Sequence, residues 1–128
     1  MFLSVYNLQD MSLKKTFTNA FRGLWIYLTR ESNNRIHLPA AVLVVVAGIV
    51  FNISPAEWLF LILSIGLILT SEAFNYALER LCDKVHEEYN EQIKVIKDIS
   101  AGAVLIAAII SAIVGLVIFL PKLFNLLI

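Results

Sequence analysis

The chain has 128 residues, 59% of them hydrophobic, with a mean hydropathy of +0.81. That apolar share lies well above the range of soluble domains and puts the chain in a membrane. Ten Lys and Arg offset ten Asp and Glu, so net charge argues for no polyanionic partner, and the single Cys82 rules out an internal disulfide and a cysteine-spaced metal site.

Residues 1–10 (MFLSVYNLQD) lack the basic start and long apolar run of a signal peptide. Met11 heads a second plausible start, so the first ten residues read as dispensable, with an N-terminal extension over 1–11 and a single domain over 12–128. An amphipathic helix is expected over about 12–30. Leu13, Phe17, Ala20, Phe21, Leu24 and Leu28 recur at helical spacing, while Lys14, Lys15, Thr18, Asn19 and Arg22 fill much of the remaining surface. Such a helix lies in the membrane interface, and a plain surface anchor would show the same periodicity.

Three spans are expected, over about 36–53, 56–85 and 98–120. The first is short for its task and draws on Ile36 and His37 at its edge. Asn52 to Pro55 forms the following turn, with Ser54 placed as a helix cap ahead of Pro55. The third carries twenty residues without a charge, 101 to 120, enough to cross about 30 Å of hydrocarbon. It also carries a ridge of small residues, Ala103, Ala107, Ser111 and Gly115, suited to a helix contact within the chain or between chains. Five Lys and Arg precede the first span, none lies in the 52–57 turn, four lie in the 80–98 loop and Lys122 stands alone in the tail. The positive-inside bias puts the N-terminus in the cytoplasm and the C-terminus outside. The fold class is thus an all-α integral membrane protein with a surface helix and three spans. Three spans enclose a polar site poorly, which favours an oligomer.

The chemistry concentrates on the second span. Glu72, Glu79 and Asp83 fall in a narrow arc of one helix, with Asn75 at its edge. Glu72 directly follows an apolar run, where an ionised side chain costs several kcal/mol or more unless it is paired or used. A carboxylate there suits removal of a proton from a membrane-dissolved alcohol. Glu79 and Asp83, one turn apart, suit Mg²⁺, which takes few protein oxygens and shares the rest with water and phosphates. The same acids can instead pair with Arg35, Arg80, Lys84 or Lys97 in a structural network. Lys97 and Asp98 precede the third span, with Asp98 or Ser100 as its cap, and form either an interfacial anchor or a phosphate contact. Arg30, Glu31, Asn34 and Arg35 make a third polar group, from which Glu31 can complete a metal site. His37 and His86 read as interfacial polar residues. The five scattered glycines exclude a P-loop or a Gly-rich kinase loop, and nothing supports nucleic-acid binding.

The runs 72-EAFNYALERLCD-83 and 97-KDISAGAVLIAA-108 resemble the small bacterial integral-membrane diacylglycerol kinase and undecaprenol kinase family. Its pattern is approximately E-x-x-N-[ST]-A-[IL]-E-x-x-x-D followed by K-D-x-x-[AS]-A-A-V. The segment 21-FRGLWIYLTRESNNRIHL-38 is similar to the family's N-terminal segment, and the likeness spans about residues 12–122. The resemblance implies a homotrimeric bundle in the bacterial cytoplasmic membrane, with composite sites between subunits and with ATP and Mg²⁺ as cosubstrate and cofactor. It makes Glu72 the general base, and Glu79 and Glu31 the metal ligands. Asn75, Asp83, Lys97 and Asp98 become polar active-site residues, the last three on the nucleotide side, and Arg22 lies where the surface helix approaches the site. Tyr76 stands where the family has a small Ser or Thr, Asn90 where many members have His, and Gly102 replaces Ala. The expected activity is transfer of the γ-phosphoryl group of Mg-ATP to a lipid alcohol, diacylglycerol first and undecaprenol as the alternative. A non-catalytic trimeric subunit or a divalent-ion conduit would also use intramembrane acids, without requiring Asn75 and the Lys97–Asp98 pair at their offsets.

Overall fold

The computed structural model describes residues 13–86 and 88–127, so the expected extension over 1–11 lies outside the described residues. The described chain is all helical: α1 (Leu13–Arg30), α2 (Asn34–Val50), α3 (Pro55–Val85) and α4 (Glu91–Leu127). It divides into two units, one ending at Asn34 and one running from Arg35 onward.

In the first unit, α1 exposes Leu13, Phe17, Phe21 and Leu24, the residues of its apolar stripe. The helix closes on the carbonyl of Tyr27, which accepts from Glu31 N at 3.1 Å and from Asn34 Nδ2 at 2.8 Å. The turn beyond it is fixed by the Glu31 carboxylate, which accepts from Asn33 N at 3.1 Å.

In the second unit, α2 ends earlier than the expected 53. Asn52 takes a left-handed φ of 48°, and the amides of Asn52 and Ile53 reach back to the carbonyls of Ile49 and Gly48, both at 3.1 Å. This closure uses the tolerance of asparagine for left-handed backbone to satisfy the last carbonyls of the helix. The 17 residues of α2 rise about 26 Å, short of the roughly 30 Å of a hydrocarbon core. By length and composition α3 and α4 are the two described helices able to cross a membrane alone.

α3 starts as its sequence implies. Ser54 Oγ accepts from Glu57 N at 3.3 Å, and the Glu57 carboxylate accepts from Ser54 N at 2.7 Å, a reciprocal capping box ahead of Pro55. α4 begins seven residues before the expected span. The cap is Asn90, whose Oδ1 accepts from Gln92 N at 2.9 Å and Ile93 N at 3.3 Å, rather than Asp98 or Ser100. The apolar run marks where hydrocarbon begins, whereas the helix begins where its first amides find an acceptor.

α3 and α4 form an antiparallel hairpin. Lys122 meets Glu57 at 3.0 Å at one end, Ser111 Oγ donates to the Ser64 carbonyl at 3.2 Å in the middle, and Lys97 meets Asp83 at 2.9 Å at the other end. Ala107 and Ser111 of the small-residue ridge face α3, so this part of the ridge serves a contact within the chain. Ile53, Leu61 and Ile118 form the core at the Glu57–Lys122 end, edged by Val44, Trp58 and Phe119. Gly48 is needed there: a Cβ on it would lie 2.8 Å from the Trp58 ring and 3.1 Å from Ile53. Gly48→Ala is therefore expected to lower stability by about 1–3 kcal/mol through overpacking, measured as thermal unfolding in detergent, with partial recovery when Trp58→Leu is added.

Candidate functional site

The polar stripe of α3 descends from a buried end to an open one. Glu72 is 3% exposed and Asn75 7%, Glu79 is half-buried, and Asp83 faces solvent. The rise of the helix separates Glu72 from Glu79 by about 10 Å and from Asp83 by about 16 Å. The stripe thus connects the apolar part of α3 with its polar end.

At the buried end, Oε1 of Glu72 meets Nε2 of His37, from the first turns of α2, at 2.7 Å. The second oxygen, Oε2, is buried without a hydrogen-bond partner, as is Oδ1 of Asn75 one turn on. A buried polar atom left unpaired costs about 1–3 kcal/mol, so each of these two oxygens lacks a partner that its burial calls for. His37 also lines an apolar cavity of about 150 Å³ between α2, α3 and α4, walled by Val44, Leu61, Ile68 and Phe119. The serine hydroxyls in its wall are committed: Ser64 donates to the Phe60 carbonyl at 2.9 Å and Ser111 to Ala107 at 2.8 Å.

The open end is a mixed polar cleft of about 350 Å³ lined by Asp83, Asn90, Lys94, Lys97 and Asp98, among others. Here Lys97 pairs with Asp83 across the hairpin, and Lys94 pairs with Asp98 along α4 at 2.6 Å. Tyr89, at the rim in the loop before α4, donates its hydroxyl to Glu91, and that bond raises the phenol above its ordinary pKa. Between the two ends, Asn75 Nδ2 reaches Glu79 Oε1 at 3.5 Å, and no lysine or arginine pairs with Glu79 among the described residues.

The structure therefore brings together Asp83, Lys97 and Asp98 in one cleft, and Asn75 with Glu79, while Glu72 stands deeper with His37. Arg22, exposed on α1, and Glu31, in the turn after it, belong to the first unit. Among the described residues no cluster of three or more His, Cys, Asp or Glu could hold a metal ion. Two contacts escape a reading of the sequence. His37 is a partner of Glu72, and its only linear signal is a histidine just inside an apolar run. The Tyr76 ring lies under Arg80, 5.9 Å from centroid to guanidinium, which occupies the residue that departs from the family pattern.

The model of the prokaryotic diacylglycerol kinase family matches residues 18–119. An undecaprenol kinase of Bacillus subtilis (strain 168) is 39% identical over 109 residues, 85% of this chain and 89% of its own length. A diacylglycerol kinase of Synechocystis sp. is 35% identical over 118 residues, 91% of this chain and 67% of its own. A diacylglycerol kinase of Escherichia coli (strain K12) is 33% identical over 92 residues, 72% and 73% of the two chains. The chain belongs to the prokaryotic diacylglycerol kinase family. It is a lipid kinase, and the resemblance carried by 72-EAFNYALERLCD-83 is borne out.

Asn90, where many family members have His, caps α4 at the edge of the cleft. Asn90→Ala should cost about 0.5–2 kcal/mol of stability while Asn90→Asp, which keeps the accepting oxygen, stays near the parent, both read by thermal unfolding.

Proposed function

We propose that the protein transfers the γ-phosphoryl group of ATP to the hydroxyl of a membrane lipid alcohol, with Glu72 as general base. The observation that carries this reading is the state of Glu72: buried, held at one oxygen and unpaired at the other, at the lipid end of a stripe that leads to a cleft with two lysines. In the transfer, the acceptor O–H bond breaks and its proton passes to Glu72 Oε2. The acceptor oxygen bonds to the γ-phosphorus as the bond from that phosphorus to the β,γ-bridging oxygen breaks, the electron pair leaving with ADP. Such a reaction asks the protein mainly for positioning and for charge.

On the nucleotide side, Lys97, Asp83 and Asp98 line the cleft, and Lys97 would exchange its carboxylate partner for a phosphate oxygen. The half-buried carboxylate of Glu79, without a cationic partner among the described residues, fits a hard, hydrated Mg²⁺, and the family pattern adds Glu31. Mg²⁺, when bound, neutralises charge on the β- and γ-phosphates. Asn75 would orient Glu79, and Arg22 is assigned to the nucleotide side by the family pattern alone.

The acceptor best supported is a polyprenol. The cavity beside His37 presents hydrocarbon and hydroxyls already committed to backbone carbonyls, which suits a chain without ester groups. The undecaprenol kinase relative, covered over 89% of its length, supports the same choice. Diacylglycerol is the second reading, supported by the relatives from Synechocystis and E. coli. We place the enzyme as a homotrimer in the bacterial cytoplasmic membrane, α1 at the interface and α2, α3 and α4 as spans. The distribution of Lys and Arg supports a cytoplasmic N-terminus and an outer C-terminus.

The test is label transfer from Mg-ATP in detergent to undecaprenol, to diacylglycerol or to no lipid. Glu72→Gln is expected to lower kcat by about 10²–10⁴-fold, the usual weight of a general base. Retention of turnover within a few-fold by a folded Glu72→Gln enzyme would remove the base assignment. Lys97→Ala is expected to cost about 10²-fold in kcat/KM with a nearly unchanged melting temperature, because an exposed ion pair stabilises little whereas charge stabilisation in the transition state matters much.

A further inference from the structure

Glu72 and His37 come from different helices, and the bond between them is short and shielded. The Glu72 side chain is 4% exposed, the imidazole 27%, and Nε2 lies 2.7 Å from Oε1. A carboxylate at the end of a glutamate turns broadly about its last torsion, so a buried Glu72 without a partner would have no fixed direction for either oxygen. A hydrogen bond from an N–H to an ionised oxygen at this distance belongs to the strong, charge-assisted kind, and it fixes that torsion. With Oε1 held, the remaining oxygen is defined, and that oxygen is buried and unpaired. The imidazole that holds it is itself a wall of the apolar cavity, so the donor to Glu72 stands beside the hydrocarbon space.

We propose that His37 is a positioning residue for the phosphoryl transfer: its Nε2–H anchors Oε1 of Glu72, so that Oε2 is left in a defined direction as the oxygen that takes the acceptor proton. This rests on Glu72 being the general base. The two oxygens then have separate duties, one structural and one chemical. His37 touches neither nucleotide nor metal; it acts through the carboxylate. A histidine that only tied α2 to α3 would, when replaced, lower stability or lipid affinity. A histidine that aims the base would, when replaced, lower kcat while both KM values hold.

Two amide substitutions separate these cases. Gln carries its amide nitrogen about as far from the backbone as Nε2 and can still donate to Oε1; Asn is one carbon shorter and cannot reach it. Each variant is purified in detergent, checked by thermal unfolding and gel filtration, and assayed for kcat and for KM of both lipid alcohol and ATP, with Glu72→Gln beside them. His37→Asn is expected to lose about ten- to a hundredfold in kcat with both KM values within about twofold, as for a misaimed catalytic group. His37→Gln is expected to remain within about threefold of the parent. Equal turnover of the Asn and Gln variants, high or low, overturns the proposal, as does a loss confined to KM or to stability. The base assignment fails separately, and takes the positioning role with it, if Glu72→Gln is active. An inactive Glu72→Gln beside a fully active His37→Asn overturns the positioning role alone.

Discussion

The organisation of the second unit follows from keeping one carboxylate, Glu72, out of water. A buried polar group left without a partner costs about 1–3 kcal/mol, so the fold supplies one at the same depth. The donor is on α2, which is why a helix too short to match the others still matters to the site. The burial also explains the length of α3. Its 31 residues rise about 46 Å, roughly 16 Å more than a hydrocarbon core requires. The surplus carries the stripe from Glu72 toward the aqueous phase, and α4, with 37 residues, runs beyond the hydrocarbon in the same way. The polar cleft lies between these extensions.

The hairpin is held unevenly along its length. Its apolar core, the capping box of α3 and the Glu57–Lys122 pair all gather at one end. In the middle the helices approach through Ala107 and Ser111, whose small side chains allow close backbone contact in lipid, where no hydrophobic force favours it. At the cleft end exposed ion pairs replace apolar packing. Local opening is governed by how much apolar surface and shielded hydrogen bonding a region has. The cleft end is thereby the end that can adjust, while the other end fixes the register of both helices.

Features that depend on neighbours along the chain were legible in the residues themselves. The stripe of Glu72, Asn75, Glu79 and Asp83 follows from helical period alone, and Ser54 ahead of Pro55 and Glu57 signals its own cap. The family was legible because its polar residues sit at fixed offsets on two helices. What stayed hidden depends on contacts across helices or on backbone geometry. His37 and Glu72 stand 35 positions apart in the chain, and no spacing rule joins them. The end of α2 turns on the left-handed conformation of Asn52, which composition does not declare. The start of α4 at Glu91 was obscured because charged residues before an apolar run read as loop, although a single cap at Asn90 lets the helix extend into water.

A kinase without a glycine-rich loop must meet phosphate by other means. Such a loop uses backbone amides, fixed in space and unable to find another partner. Here the donors facing the cleft are the ammonium groups of Lys94 and Lys97, and each already holds a carboxylate. Because those pairs are exposed, water screens them and their strength is modest. A polyphosphate, with more charge and more oxygens than one carboxylate, can displace Asp83 or Asp98 from its lysine. The same four side chains thus hold one another at rest and, in the proposed reading, free the two lysines when the nucleotide arrives. The exchange needs no backbone rearrangement, which suits two long helices whose far ends are fixed by packing.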